Sequence, residues 1–224
     1  MVTDLISNYK PLANEQARLD AMLSNMWLAF KIPQNGEYLS TFGECSSYYA
    51  LLEIQKKMQN DEVGSLILRE KPRIRNWSFN FEALEHYPKN TMGYQYWEYM
   101  TINGFHPDER PMVKHIGDVE LAYIFQWYKE IHDFLHVILN KGSSVIHELE
   151  VKWFEFEQLG LASCAASSIF GSLLVPMNQK IELFSTTGPE MIRIAKKSKL
   201  ILNVYFHKHL DQDADEFRKY VFND

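Results

Sequence analysis

Residues 131–158 read IHDFLHVILNKGSSVIHELEVKWFEFEQ, and how this stretch folds decides the architecture of the chain. Leading into it, Leu121, Ile124, Tyr128, Ile131, Leu135 and Ile138 recur at helical spacing and make one apolar stripe. Beyond the break, Val145, Ile146, Leu149, Trp153 and Phe156 make a second stripe. Between them NKGSS supplies the turn. Gly142 suits a left-handed position after a helix, and Ser143 or Ser144 suits an N-cap. The spacing predicts two helices folded back on each other.

On the first helix His132 and His136 stand one turn apart, and Asp133 lies three residues before His136. All three project within an arc of about 100°. The two histidines sit on the border of the apolar stripe. Gly142 is six residues from His136 and six from Glu148, so antiparallel pairing brings Glu148 to the same level. Two imidazoles and two carboxylates can then converge on a divalent metal ion. The plainer alternative makes the histidines hydrogen-bonded core-edge residues and the carboxylates solvated. As a donor set, nitrogen and oxygen without thiolate suit zinc first, with manganese, iron, cobalt or magnesium behind it, and calcium poorly. A closed set of four protein ligands would be structural, whereas a catalytic ion keeps an open position.

With 224 residues, 46% of them hydrophobic, the chain can bury one sizeable core. Its net charge of −6 argues against a nucleic-acid partner. Two cysteines, Cys45 and Cys164, make no disulfide framework and read as small apolar residues in a reducing compartment. The N-terminus, MVTDLISNYKPLANEQARLD, shows neither an apolar signal core nor an Arg/Ser-rich leader. Together with the initiating Met, this suggests a bacterial, cytoplasmic protein, with peripheral contact at the inner membrane. No segment is apolar enough to span a bilayer. The nearest, 158–179, is uncharged but carries Ser, Asn, Gln and Pro176. It reads as a buried helix of small residues, as the wall of a greasy cleft through Leu161, Ala165, Ile169, Phe170 and Leu173, or as both.

Elsewhere helical signals dominate. Residues 12–32 form a helix with Ala13, Ala17, Met22, Met26 and Phe30 as its stripe, ended by the segment from Pro33 to Gly36. A second helix spans 37–60. Residues 63–90 read as turns and short helices, because no strand-turn-strand repeat appears. There Arg69, Lys71, Arg73 and Arg75 make either a solvated loop or a contact for anionic headgroups. Tyr94, Tyr96, Trp97, Tyr99 and Phe105 read as aromatic core. His86, His106 and His115 fit no ligand spacing, and His147 points about 100° away from Glu148. Asp118 suits an N-cap, Thr187 to Glu190 a capping box for a helix through about 202, and 209–222 a terminal amphipathic helix. No repeat or linker divides the chain. The expected architecture is all-α, one domain over 1–224, an antiparallel helical bundle with a hydrophobic cleft.

The stretch HDFLHVILNKGSSVIHE, residues 132–148, fits H-D-x-x-H, eleven residues, then E. It resembles the signature of the coenzyme Q (ubiquinone) biosynthesis protein 4 family. GYQYWEYMTINGFHPDERP is similar to the family's segment upstream of the motif, DVELAYIFQWYKEIHDFLHVI to its first metal helix, and ELEVKWFEFEQLGL to its second. The resemblance implies that His132, Asp133, His136 and Glu148 are metal ligands. It further implies a prenylated benzenoid or isoprenoid lipid as ligand, a metal-dependent exchange of the ring C1 carboxylate for hydroxyl, and contacts with other quinone-biosynthesis enzymes at the membrane face. A non-catalytic lipid-binding scaffold is the alternative, and a homodimer is compatible with either. A zinc hydrolase is the third reading, since H-D-x-x-H shares its spacing with H-E-x-x-H.

Overall fold

The computed structural model describes residues 7–32 and 35–223. Helix α1 (Glu15–Lys31) starts at Asn14, whose side chain accepts from the Ala17 amide. None of its residues is buried, although its apolar spacing predicts a core face. The expected stop at Pro33, and the reading of residues 1–6, fall outside the described residues. Where a single helix over 37–60 was expected, α2 (Gly36–Ser46) and α3 (Tyr48–Gln59) follow in succession. They part at Ser47, whose buried hydroxyl turns back to the Glu44 carbonyl. Helix α4 (Glu62–Glu70), capped by Asp61, is followed by loops, a short 3-10 turn at Glu82–His86, and α5 (Met92–Ile102).

The molecule is organised around α6 (Val119–Ile138), which carries the first half of the motif and is buried along nearly its whole length. Asp118 caps it, accepting from the Glu120 and Leu121 amides at 2.9 Å each. Tyr96 of α5 stacks on Phe134 at 3.8 Å, and Phe134 stacks in turn on Phe206; of the aromatic segment Tyr96 alone is fully core, Tyr94, Trp97 and Tyr99 are half-buried, and Phe105 is exposed. The left-handed residue after α6 is Asn140 (φ 53°), not Gly142. The turn thus begins two residues earlier, with Asn in a conformation its side chain tolerates. Ser144 then caps α7 (Val145–Leu159), and Gly160 ends it in the left-handed conformation.

The uncharged segment 158–179 is broken into α8 (Ala162–Gly171), a 3-10 turn at Ser172–Leu174, and the start of α9 (Met177–Glu182). It is only partly buried, through Gln158, Leu159, Leu161, Ser163, Cys164, Ser168, Ser172 and Val175. At Thr187 no capping box forms. The chain runs through a π-helical turn, Leu183–Thr187, straight into α10 (Gly188–Lys197). The terminal helix α11 (Ala214–Phe222) is shorter than the expected 209–222 and begins at Asp213, whose side chain caps it. Among the described residues there is no strand, only an isolated bridge between Thr91 and Asp213. The fold is all-α. Cys45 and Cys164 are both free and buried.

In the basic segment 69–75, Arg69 is exposed and Lys71 half-buried, but Arg73 and Arg75 depart from both readings. Arg73 and Arg75 are buried, and both reach Glu130 on α6: Arg73 through Nε at 3.0 Å to each oxygen, Arg75 through Nε at 3.1 Å. Glu130 also accepts from the Ile74 amide and Gln126 at 3.0 Å. Arg75 goes on to donate to the carbonyls of Asp108 and Arg110 at 2.6 and 2.8 Å. These cations are structural, and they fix the loop that carries Arg110 beside the motif.

Candidate metal centre and adjoining cavity

Three of the four expected ligands converge. His132 Nε2 and His136 Nε2 are 3.3 Å apart, Glu148 Oε2 lies 3.0 Å from His136 Nε2, and Glu148 Oε1 lies 3.4 Å from His132 Nε2. Asp133 does not join them. Adjacent helical residues diverge by about 100°, and its carboxylate pairs with Arg110 through Nε at 3.0 Å and a second bond to NH2. His106, His115 and His147 stay out of the cluster as expected; His147 Nδ1 accepts from the Gly142 amide.

The outer nitrogens settle what the inner ones offer. His132 Nδ1 faces Glu155 Oε1 at 2.7 Å, and His136 Nδ1 faces the Gly142 carbonyl at 3.0 Å. Both partners accept, so each Nδ1 carries hydrogen and donates. In the neutral rings both Nε2 lone pairs then point at each other and at a carboxylate. Three electron-rich atoms on one point need a positive charge. A proton is one way to supply it: burial and the Lys152 ammonium push the His132 pKa down, but Glu148 and Glu155 outweigh them and raise it to about 9. A metal is the other. Two nitrogens bound to one tetrahedral zinc at about 2.0–2.1 Å stand about 3.3 Å apart, as these do. The donor set fits a divalent ion with three protein ligands and one open position.

Sequence spacing missed the shell around these ligands. Glu155 is fully buried and also accepts from Tyr128 and Lys152 at 2.9 and 2.8 Å. Despite burial, Lys152 and His132 hold its pKa down to about 2. Lys152 bridges to Glu148 at 3.2 Å. Despite burial, Lys152 and then His132 hold Glu148 well below the usual carboxylate range. The signal was present, since Glu148, Lys152 and Glu155 follow at spacings of four and three on one helical face. A carboxylate behind a ligating histidine orients the ring and raises its basicity. Exchange of Glu155 for glutamine is expected to weaken zinc binding about tenfold to a hundredfold. Competition titration against a chromophoric chelator measures this, and unchanged affinity would remove Glu155 from the site.

Glu148 is 39% exposed, and that exposure faces a cavity. The cavity holds about 300 Å³ and is walled by Met26, Phe30, Leu39, Phe42, Leu149 and Phe170, with Lys152 beside Glu148. Of the cleft residues expected on α8, only Phe170 lines it. Leu161 is fully buried in the core, Ala165 is half-buried outside the lining, and Ile169 and Leu173 are exposed. The lining comes instead from Ala166, Ser167, Gly171 and Leu174, one residue round. A second chamber of about 310 Å³ shares Leu39, Glu148, Lys152 and Ser167 with the first and reaches His132, Lys129 and Arg110.

An all-α protein with a His–His–Glu cluster at the head of an apolar cavity is the class that fold and site define. The chain belongs to the Coenzyme Q (ubiquinone) biosynthesis protein Coq4 family, which matches residues 8–222. It is 43% identical over 185 residues to the mitochondrial ubiquinone biosynthesis protein COQ4 homolog 2 of Paramecium tetraurelia, covering 83% of this chain and 88% of that one. It is 38% identical over 210 residues to the mitochondrial COQ4 of Candida tropicalis, covering 93% of this chain and 65% of that one, just under two thirds of its length. A crystal structure of a candidate ubiquinone biosynthesis protein from Nostoc punctiforme superposes with TM-score 0.73 over 94% of this chain and 99% of that one; at 16% identity it shows the fold alone. The curated relatives are named mitochondrial proteins, which overturns the bacterial, cytoplasmic setting expected from the sequence.

Proposed function

We propose that this ubiquinone biosynthesis protein binds a divalent metal and a prenylated hydroxybenzoate, and that it carries out oxidative loss of the ring carboxylate at C1. One observation carries the reading: Glu148 belongs both to the donor cluster and to the lining of the apolar cavity. His132, His136 and Glu148 would hold the ion, and when bound it would supply Lewis acidity to a ring oxygen. Met26, Phe30, Leu39, Phe42 and Phe170 take up the isoprenoid chain, whose methylenes contribute ~0.8 kcal/mol each on burial. That anchorage leaves the ring at the polar end, where Lys152 offsets the charge of Glu148 and Glu155. Exchanging carboxylate for hydroxyl breaks a C–C bond, releases CO₂ and forms a C–O bond. This is a two-electron oxidation, so an oxidant that also supplies oxygen is a co-reactant.

Native mass spectrometry with metal analysis on the same purified sample tests the binding half. One divalent ion and a co-purified polyprenyl mass support it, and neither, even after divalent metals are added, sinks it. Within the cavity, Ala166→Trp is expected to weaken binding of a farnesylated hydroxybenzoate by about fivefold to a hundredfold, because overpacking costs about 1–3 kcal/mol. The bound metal should be unchanged. Equal affinity in a folded variant would move the tail elsewhere.

A non-catalytic scaffold for quinone-biosynthesis enzymes at a membrane face is the second reading. It draws on the exposed apolar residues Leu173, Leu174, Met177, Ile181 and Phe184. Turnover by the isolated protein separates the two. The hydrolase reading loses its base, since Asp133 is held by Arg110 rather than turned to the cluster.

A further inference from the structure

The second chamber differs in character from the apolar cavity. Phe125, Tyr128, Leu39 and Pro111 offer ring-sized apolar walls, while Arg110, Lys129 and Lys152 bring three cations into the lining. A cavity of about 150 Å³ accommodates benzene. A chamber of about 310 Å³ therefore has room for a ring with several substituents.

The three cations are not equally matched. Arg110 is neutralised by Asp133 through two bonds. Lys152 lies between two carboxylates, Glu155 at 2.8 Å and Glu148 at 3.2 Å. Lys129 is largely buried and donates to Ser40 Oγ at 3.0 Å, a neutral partner. Its nearest carboxylate, Glu44, is 3.9 Å away. That distance is to Oε1, which accepts from the same Ser40 hydroxyl at 3.4 Å, while Oε2 accepts from the Lys114 and His115 amides at 2.8 Å each. An ammonium has three donors, and a buried cation without a close anion is costly. Burial accordingly pushes the Lys129 pKa down to about 8, with Glu44 offsetting only part of the cost.

We propose that Lys129 is a specificity-determining residue of this site: its ammonium receives the carboxylate of the substrate's aromatic ring when the prenyl chain fills the neighbouring cavity. The inference rests on the reading of that cavity as a prenyl site. The carboxylate completes the one cation of the chamber that lacks a close counter-ion, and it distinguishes substrate from any decarboxylated ring with the same tail. Lys129 lies three residues before His132 on α6, so recognition and metal ligation share one rigid element.

The test uses two probes with one tail, 3-farnesyl-4-hydroxybenzoate and its decarboxylated counterpart 2-farnesylphenol, titrated calorimetrically into the metal-loaded protein. The wild type is expected to prefer the acid on the order of tenfold, the size of one charge-assisted hydrogen bond. Lys129→Met should bind the phenol as the wild type does and lose the preference, and Lys129→Arg should restore it. Lys129→Gln, which can still donate to Ser40, serves if the methionine variant does not fold. A structural role alone would weaken both probes together and leave the ratio standing. A wild type without preference, or a Lys129→Met protein that keeps it, overturns the proposal. If the wild type binds neither probe, the prenyl-site reading itself has failed, and this inference falls with it.

Discussion

Replacing both His132 and His136 by alanine is expected to leave a folded protein without a bound divalent ion and without turnover of a prenylated hydroxybenzoate. The two rings contribute both nitrogens of the cluster, and a lone Glu148 cannot hold a transition metal against water. Lewis-acid stabilisation is worth several kcal/mol, so the rate should fall by at least about a thousandfold. Glu155 keeps Lys152 and Tyr128 as partners in the variant, which protects the surrounding structure from an unpaired charge. Metal content by mass spectrometry, circular dichroism and product formation are read on the same preparation. Retained turnover in the double variant would end the catalytic reading. Lost metal with a lost fold would point to a structural ion.

The largest stability effect is expected at Glu130→Leu. The exchange leaves Arg73 and Arg75 buried against α6 without their shared carboxylate. Removing one partner of a buried pair costs about 3–5 kcal/mol, a large share of the roughly 5–15 kcal/mol that holds a domain together. The loop bearing Arg110 is tied to the same Arg75, so it should loosen before global unfolding. Urea denaturation followed by circular dichroism measures the loss. Glu53→Ala, which breaks an exposed pair with Lys56, is the control and should shift the midpoint little. Equal midpoints for the two variants would show that the buried cluster contributes nothing particular.

The helix pair and three of its donors were legible because their information is local. Periodicity fixed the faces of α6 and α7, and six residues on each side of the turn put His136 and Glu148 level. What stayed hidden depends on partners far along the chain. Asp133 shares an arc with the histidines, yet it is claimed by Arg110, which arrives on a loop 23 residues upstream. Arg73 and Arg75 look like a solvated basic run until Glu130, 57 and 55 residues on, is brought against them. Of the expected cleft residues only Phe170 lines the cavity, because the small residues of α8 give the helix no strong apolar side. Ala166 and Phe170 line the cavity, while Ile169 points outward. Leaders and compartments leave no trace in packing, and there the relatives' names overruled composition.

Helix α1 has no buried residue, yet Met26, Ala29 and Phe30 form one wall of the apolar cavity. The other walls belong to elements packed on α6 and α7; this one rests mainly against its neighbour α2. If the cavity holds the prenyl chain as proposed, a chain longer than the cavity would meet a helix with no buried residue before it met the core or the donor cluster. On the proposed reading, tolerance of chain length lies at the hydrocarbon end of the site. Discrimination falls to the ring end, where Arg110 and Lys152 are held by the buried carboxylates of Asp133 and Glu155 and Lys129 is left to a neutral hydroxyl.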